Sequence, residues 1–283
     1  MTLRIIAKLD IKGPNLVKGI QLEGLRVLGD PILFAQNYYE QGIDEILYID
    51  VVASLYNRNS LHDLIEKTSK KSFIPLTVGG GIRNLEDIKA VLRVGADKVC
   101  INTAAINDPT FIEKAALKFG SSTITIAIEV IKQANQNYLV YTNNGREYTG
   151  IDAFEWAKTV EKLGAGEILL TSIDREGTGT GFDCELISKF VNAVGIPVIA
   201  HGGAGQLSQI VECAKKTHVN AIALASIIHY DLVHELFKEY TQKSEGNLQF
   251  LKNKEIPKYI KPSNIFEIKN ALLDESIICR PCF

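Results

Sequence analysis

Apolar positions along this chain follow two rhythms that take turns almost to its end. Short runs dense in Ile, Val and Leu read as strands, and stretches with apolar residues three and four apart read as helices. The first rhythm predicts eight strands: Arg4–Asp10, Glu45–Val51, Pro75–Val78, Lys98–Ile101, Thr123–Glu129, Glu167–Ser172, Pro197–Ala200 and Ala221–Ala225. The second predicts helices between them, over Pro31–Gln41, Ser60–Ser69, Leu85–Val94, Pro109–Phe119, Ala153–Leu163, Cys184–Val194 and Leu207–Lys216. Strict βα alternation implies a parallel sheet covered by helices. An open, doubly wound sheet and a closed barrel both satisfy that pattern.

An internal repeat favours the barrel. Gly29–Val51 (GDPILFAQNYYEQGIDEILYIDV) lies against Gly150–Ile173 (GIDAFEWAKTVEKLGAGEILLTSI), and Pro75–Gly81 (PLTVGGG) against Pro197–Gly203 (PVIAHGG). Asp10 and Glu129 fall at equivalent strand ends. A four-strand half, duplicated in tandem, explains these offsets, and an open sheet does not predict them. The expected fold is therefore a (β/α)₈ TIM barrel with internal half-barrel duplication. The 283 residues suit one such domain, which typically needs about 250.

Composition then narrows the function. Lys+Arg 31 against Asp+Glu 33 leaves a net charge of −2, which gives no basic face for nucleic acid or an anionic membrane. The longest apolar runs, such as Ala221–His229, are far too short to span a bilayer. The first ten residues carry charges where a secretory signal would be apolar. Five scattered cysteines fit a reducing cytoplasm. Cys279 and Cys282 form one Cys-x-x-Cys without a second pair, too few ligands for a structural zinc, so no metal and no cofactor is expected.

Barrels of this kind place their chemistry at the C-terminal ends of the strands. Glycines cluster after strands three and seven, and small polar residues end strands four and eight. Bare backbone N–H groups at such glycines can approach an anion. One phosphate site is expected at Gly81, Asn102 and Thr103, and a second at Gly177, Thr178, Gly203 and Ser226. Asp10 and Glu129 end opposite strands, one and five, and are the acid/base candidates.

From Arg4 to His229 the chain resembles the cyclase subunit of imidazole glycerol phosphate synthase. The resemblance is carried by LVKGIQLEGLRVLGDP (Leu16–Pro31), FIPLTVGGGIRNLED (Phe73–Asp87), GADKVCINTAAI (Gly95–Ile106), GAGEILLTSIDREGTGTGFD (Gly164–Asp183) and IPVIAHGGAG (Ile196–Gly205). It implies a reaction in which ammonia from a glutaminase partner closes an imidazole ring on a bis-phosphorylated formimino carboxamide ribonucleotide. The products are imidazole glycerol phosphate and the aminoimidazole carboxamide ribonucleotide. It also implies that Asp10 and Glu129 are the catalytic carboxylates and that Lys18 is a mobile-loop lysine. Arg4, Glu45, Lys98 and Glu167 match a charged ring at the N-terminal barrel face that gates ammonia and docks the glutamine amidotransferase.

Several positions depart from that pattern. Glu129 replaces aspartate, Lys8 a small residue, His201 a small polar residue and Val52 a threonine. Lys8 and Asp10 are two apart on one strand, so both face the interior, and Lys8 needs Asp10 or Glu129 as its partner. The carboxylate so paired is expected not to donate protons, which predicts weak cyclase turnover. The chain also has an extra polar segment, Asp231–Lys261, expected as an insertion in the last βα loop before a final helix over Ser263–Leu273. With departures gathered at the catalytic end and the ammonia end intact, two other readings stand beside the synthase. One is a paralogue delivering ammonia for acetamidino sugars of surface polysaccharide. The other is a non-catalytic, ammonia-conducting scaffold.

Overall fold

The computed structural model describes residues 2–53, 61–240 and 256–282. Strand β1 (Arg4–Lys12) runs into a hairpin of β2 (Asn15–Ile20) and β3 (Glu23–Gly29). Then come α1 (Pro31–Glu40), β4 (Glu45–Asp50), α2 (His62–Ser69), β5 (Leu76–Gly79), α3 (Leu85–Arg93) and β6 (Lys98–Ile101). A short α4 (Thr103–Asn107) precedes α5 (Thr110–Phe119) and β7 (Ile124–Lys132). A second hairpin, β8 (Tyr138–Thr142) and β9 (Glu147–Asp152), leads to α6 (Ala153–Lys162) and β10 (Glu167–Ser172). The chain continues as α7 (Cys184–Ala193), β11 (Val198–His201), α8 (Leu207–Thr217), β12 (Ala221–Leu224), α9 (Ser226–Tyr240) and α10 (Ile265–Asp274).

Strands β1, β4, β5, β6, β7, β10, β11 and β12 pair in parallel in that order, and β12 returns to β1. This is a closed (β/α)₈ barrel, and all eight predicted strands are its staves. The duplication is visible in its departures from the minimal plan. β1 and β7, the first and fifth staves, both overrun the barrel and pair antiparallel with a hairpin. Asp30 and Asp152 are equivalent N-caps, the first accepting from Ile32 N and the second from Phe154 N and Glu155 N. Sequence rhythm missed both hairpins because their strands cover the mouth, where apolar alternation is weak.

Alternation within the staves separates two cores. Outward residues such as Ile46 and Tyr48 pack with Ile88, Val91, Phe111 and Phe190 of the helices. Inward residues Ile6, Leu47, Cys100, Ala127, Leu169, Ile199, Ala221 and Ala223 fill the barrel. Each large aliphatic side chain so buried contributes about 1.5–3 kcal/mol.

The final segment departs from expectation. Asp231–Tyr240 continue α9 instead of opening a loop, residues 241–255 lie outside the described residues, and Ile260 is back in the core. Lys261 N–H donates to Gly205 O at 2.7 Å, and Ser263 N–H to Ile227 O at 3.1 Å, so this returning strap ties the loop after β11 to α9. No helix among the described residues is long and apolar enough to cross a membrane.

Candidate active site

The staves deliver their inward side chains in layers, two residues apart. One step above the apolar layer stand Lys8, Glu129, Thr171 and His201, and Asp10 is one step higher on β1. Lys8 and Asp10 are both buried and form an ion pair. Burial alone would raise the Asp10 pKa, but the charges of Lys8 and Lys18 outweigh it and hold the carboxyl below its ordinary value. Glu129, half-buried on β7, lacks such a contact. Burial pushes its pKa up to about 7, against the attraction of Lys8 and a hydrogen bond of 2.9 Å from Gly145 N–H to its Oε2. The two carboxyls are thus driven apart by environment.

Two buried histidines back this layer. His201 Nδ1 lies 3.0 Å from the Ala223 carbonyl, which only accepts, so Nδ1 carries the proton. His229 Nε2 donates likewise to Lys8 O at 3.0 Å, and its Nδ1 accepts from Tyr38 Oη at 2.7 Å. Burial, reinforced by nearby lysines, lowers His201 to about 4 and His229 to about 3, so both are neutral at physiological pH.

Glu129 and Lys8 open onto a cavity of about 450 Å³ that also holds Gly81, Asn102, Thr103 and Asp50. The first expected phosphate site therefore shares one chamber with the proton-holding carboxyl. Gly80 and Gly81 take φ of 92° and 73°, and a Cβ on Gly80 would stand 2.3 Å from the Asp50 carbonyl. Asp10 and Lys18 lie outside this chamber's lining, on β1 above Lys8 and on β2 of the first hairpin.

The second expected site is built from adjacent loops after β10, β11 and β12. Gly181 N–H donates to Gly203 O at 2.9 Å, and a Cβ on Gly203 would collide with Gly181 O at 2.1 Å. Thr178 Oγ1 donates to Arg175 O at 2.7 Å. Ser226 opens α9. Gly177 is covered by the first hairpin, since a Cβ there would meet Gly19 O at 2.5 Å.

Sequence reading expected Lys18 on a mobile loop. The structure buries it on β2, ion-paired to Glu176. Glu176 was not singled out. It is fully buried, also accepts Leu22 N–H at 3.1 Å, and lies 4.0 Å from His201 Nε2. Its only signal was its place in the Asp-Arg-Glu-Gly-Thr block. Asp50, at the C-terminal end of its stave, also lines the chamber, as do Asn143 and Asn144, which had no signal of their own.

At the opposite end, the four charged residues meet in a closed ring. Arg4 touches Glu45 at 2.9 Å and also pairs with Glu167; Lys98 lies 3.2 Å from Glu45 and 3.3 Å from Glu167. Thr77 Oγ1 adds a 2.6 Å hydrogen bond to Glu45. The acids are almost covered, at 3% and 9% exposure, while Arg4 at 31% and Lys98 at 20% reach solvent. The Cys-x-x-Cys ending is structural: Cys279 is buried near Lys269, and Cys282 packs on Gly42.

The profile of the family described as "Histidine biosynthesis protein" matches residues 4–234. A relative from Legionella pneumophila named imidazole glycerol phosphate synthase subunit HisF is 55% identical over 73% of this chain and 97% of its own length. Two more with that name are similar. One, from Bacillus cereus, is 50% identical over 80% of this chain and 90% of its own; the other, from Lactococcus lactis, is 48% identical over 81% and 89%. With the eight-stave barrel and its paired strand-end carboxyls, these matches establish that the chain belongs to the histidine biosynthesis protein family.

Proposed function

We propose that this chain is the cyclase subunit of an imidazole glycerol phosphate synthase, using ammonia to convert the bis-phosphorylated formimino carboxamide ribonucleotide. The observation that carries the reading is 48–55% identity to relatives of that name over most of both chains. That level of identity weighs against the surface-sugar and scaffold readings.

The mouth supplies the proton transfers the reaction needs. Ammonia condenses with the ketone carbon and the carbonyl oxygen leaves as water. Ring closure at the formimino carbon then expels the amine of the carboxamide ribonucleotide, so protons leave the incoming nitrogen and go to both leaving groups. Asp10, held ionised by Lys8 and Lys18, is the acceptor. Glu129 retains its proton up to about pH 7 and is the donor. In this reading the Lys8-paired carboxylate is the base and not the acid. Gly81, Asn102 and Thr103 bind one substrate phosphate, and Gly177, Thr178, Gly203 and Ser226 the other. Lys18 works from the hairpin over the mouth once its pair with Glu176 opens.

The charged ring of Arg4, Glu45, Lys98 and Glu167 gates ammonia at the N-terminal face, where the glutaminase subunit docks. The ammonia then passes the apolar layer of Ile6, Leu47, Cys100, Ala127 and Leu169. The chain works in the cytoplasm as one barrel domain. The test is turnover of the pathway nucleotide near pH 7 with a large excess of ammonium salt and no partner. Imidazole glycerol phosphate is the expected product, and its absence under conditions where the nucleotide binds overturns the reading.

A further inference from the structure

The two hairpins that extend the barrel after its first and fifth staves meet at their tips across the mouth. At the first tip, Gln21 and Leu22 take left-handed backbone, with φ of 52° and 64°. At the second, Asn143, Asn144 and Gly145 do so in succession, at 51°, 60° and 77°. Asn144 Nδ2 donates to Leu22 O at 3.1 Å. Arg146 Nε donates to Glu23 Oε1 at 2.9 Å. Gly145 sits so tightly that a Cβ would stand 3.2 Å from Leu22 Cδ1 and 3.1 Å from Ile173 Cδ1.

The same turn also faces inward. Gly145 N–H is the donor to Glu129 Oε2, at 2.9 Å, and Asn143 N–H reaches Thr103 Oγ1 of the first phosphate site at 3.3 Å. The first hairpin is fastened on its other flank by Glu176, which pairs with Lys18 and accepts from Leu22 N–H, while its carbonyl accepts from Gln21 N–H at 2.8 Å. Left-handed backbone leaves Asn143 and Asn144 few neighbouring conformations, and Gly145 is hemmed in by Leu22 and Ile173, so a shift at the tip is passed along the turn.

We infer that Asn144 and Arg146 are positioning residues that couple the docked state of the Lys18 hairpin to the hydrogen bond on the Glu129 carboxyl. When the first hairpin lifts, the turn loses Leu22 and Glu23 and carries Gly145 N–H away from Glu129. The acid is then set for reaction only when the mouth is closed over substrate. This deepens the reading of Glu129 as the proton donor and rests on it. Glu129 is faced by Lys8 and Asp10 of β1, Cys100 and Asn102 of β6, and Thr171 of β10, so its titration alone is a mixed signal. Lifting the hairpin also admits water, which acts on the carboxyl in the opposite direction. The Gly145 amide reports the bond directly.

The test follows the Gly145 amide shift of the full ¹⁵N-labelled chain between roughly pH 5 and 9. An amide bonded to a carboxylate moves with its ionisation, so the unmodified chain shows a step near pH 7. Asn144→Ala and Leu22→Ala, neither of which removes a bond to Glu129, shrink that step by about twofold or more, and Leu22→Met restores it. Glu23→Gln has a smaller effect, as an exposed pair should. A full step in both alanine variants overturns the coupling, as does no step in the unmodified chain. The step is read without substrate, so it stands or falls separately from nucleotide turnover, which tests the reaction.

Discussion

The barrel carries ion pairs at both ends, and the ends differ in how their charges close. At the base, each of two cations meets each of two carboxylates, and the ring balances itself. At the mouth, Lys8 is taken by Asp10 and Lys18 by Glu176, which leaves Glu129 with a backbone amide and neighbouring polar groups. Similar residue types therefore behave differently. A closed ring is a self-satisfied plug, whereas an open set leaves one carboxyl that holds its proton near neutrality. The contrast shows that the stoichiometry of contact, more than burial, decides which buried charge is available for chemistry.

The contrast is broken most severely by removing the carboxyls at the mouth. Glu129→Gln and Asp10→Asn should each lower nucleotide turnover with ammonium salt by about 10²–10⁴-fold. For the unmodified chain, kcat should fall as pH rises through about 7, where Glu129 loses its proton. Its acid limb should lie below the ordinary aspartate range, because Asp10 is lowered. A kcat that climbs steadily through pH 7 to 9 is the opposite result.

Next in size is the removal of one ion from each end. Lys8→Met strands a buried Asp10 and should cost about 3–5 kcal/mol of stability at pH 7, measured by urea unfolding. Adding Asp10→Asn should recover most of it. Glu45→Gln at the base should cost only about 1–2 kcal/mol, because Arg4 and Lys98 reach solvent and keep Glu167. Equal losses at the two ends would erase the distinction.

A smaller effect sharpens the same point through pH. The Glu129 pKa is raised on folding, so the unfolded chain releases this proton first. Stability falls as pH rises from the ordinary glutamate range to about 7, and the deficit persists above that. Glu129→Gln should therefore stabilise the protein by about 2–3 kcal/mol at pH 8 and by almost nothing near pH 4. The wild-type and variant melting curves at the two pH values measure this. A variant equally stable to wild type at pH 8 contradicts the raised pKa.

The smallest expected effect is at the charged ring of the base. Lys98→Glu turns the ring into three acids around Arg4 and should lower glutamine-dependent turnover about tenfold more than ammonia-dependent turnover. Equal loss of both would remove the gating role. Phosphate binding on the catalytic face should be unaffected.

Much of the architecture was legible because barrel strands obey a strict rule. Their outward faces meet helices and their inward faces meet one another, so the staves read as short dense apolar runs. Helix starts were legible where a capping side chain announces them, as at Asp30, Asn84 and Asp152. The hairpins carried no such signal, because both lie over the mouth. The role of Glu176 was hidden for another reason. Its role depends on Lys18, far away along the chain, and only the closed barrel brings them together.

The sequence by itself determined the eight staves, their duplication and the strand ends at which Asp10, Glu129 and the glycines stand. Those features follow from local periodicity and from resemblance, which one dimension records. It required that Lys8 have a carboxylate partner but left two candidates. Only the tertiary structure chose Asp10, which Lys8 meets directly, while a hairpin tip donates Gly145 N–H to Glu129. It also decided that four charges from separate staves close into one ring, and that Lys18 is clasped by Glu176. Charge pairing falls steeply with distance and depends on what excludes water, and both are properties of the folded chain in three dimensions.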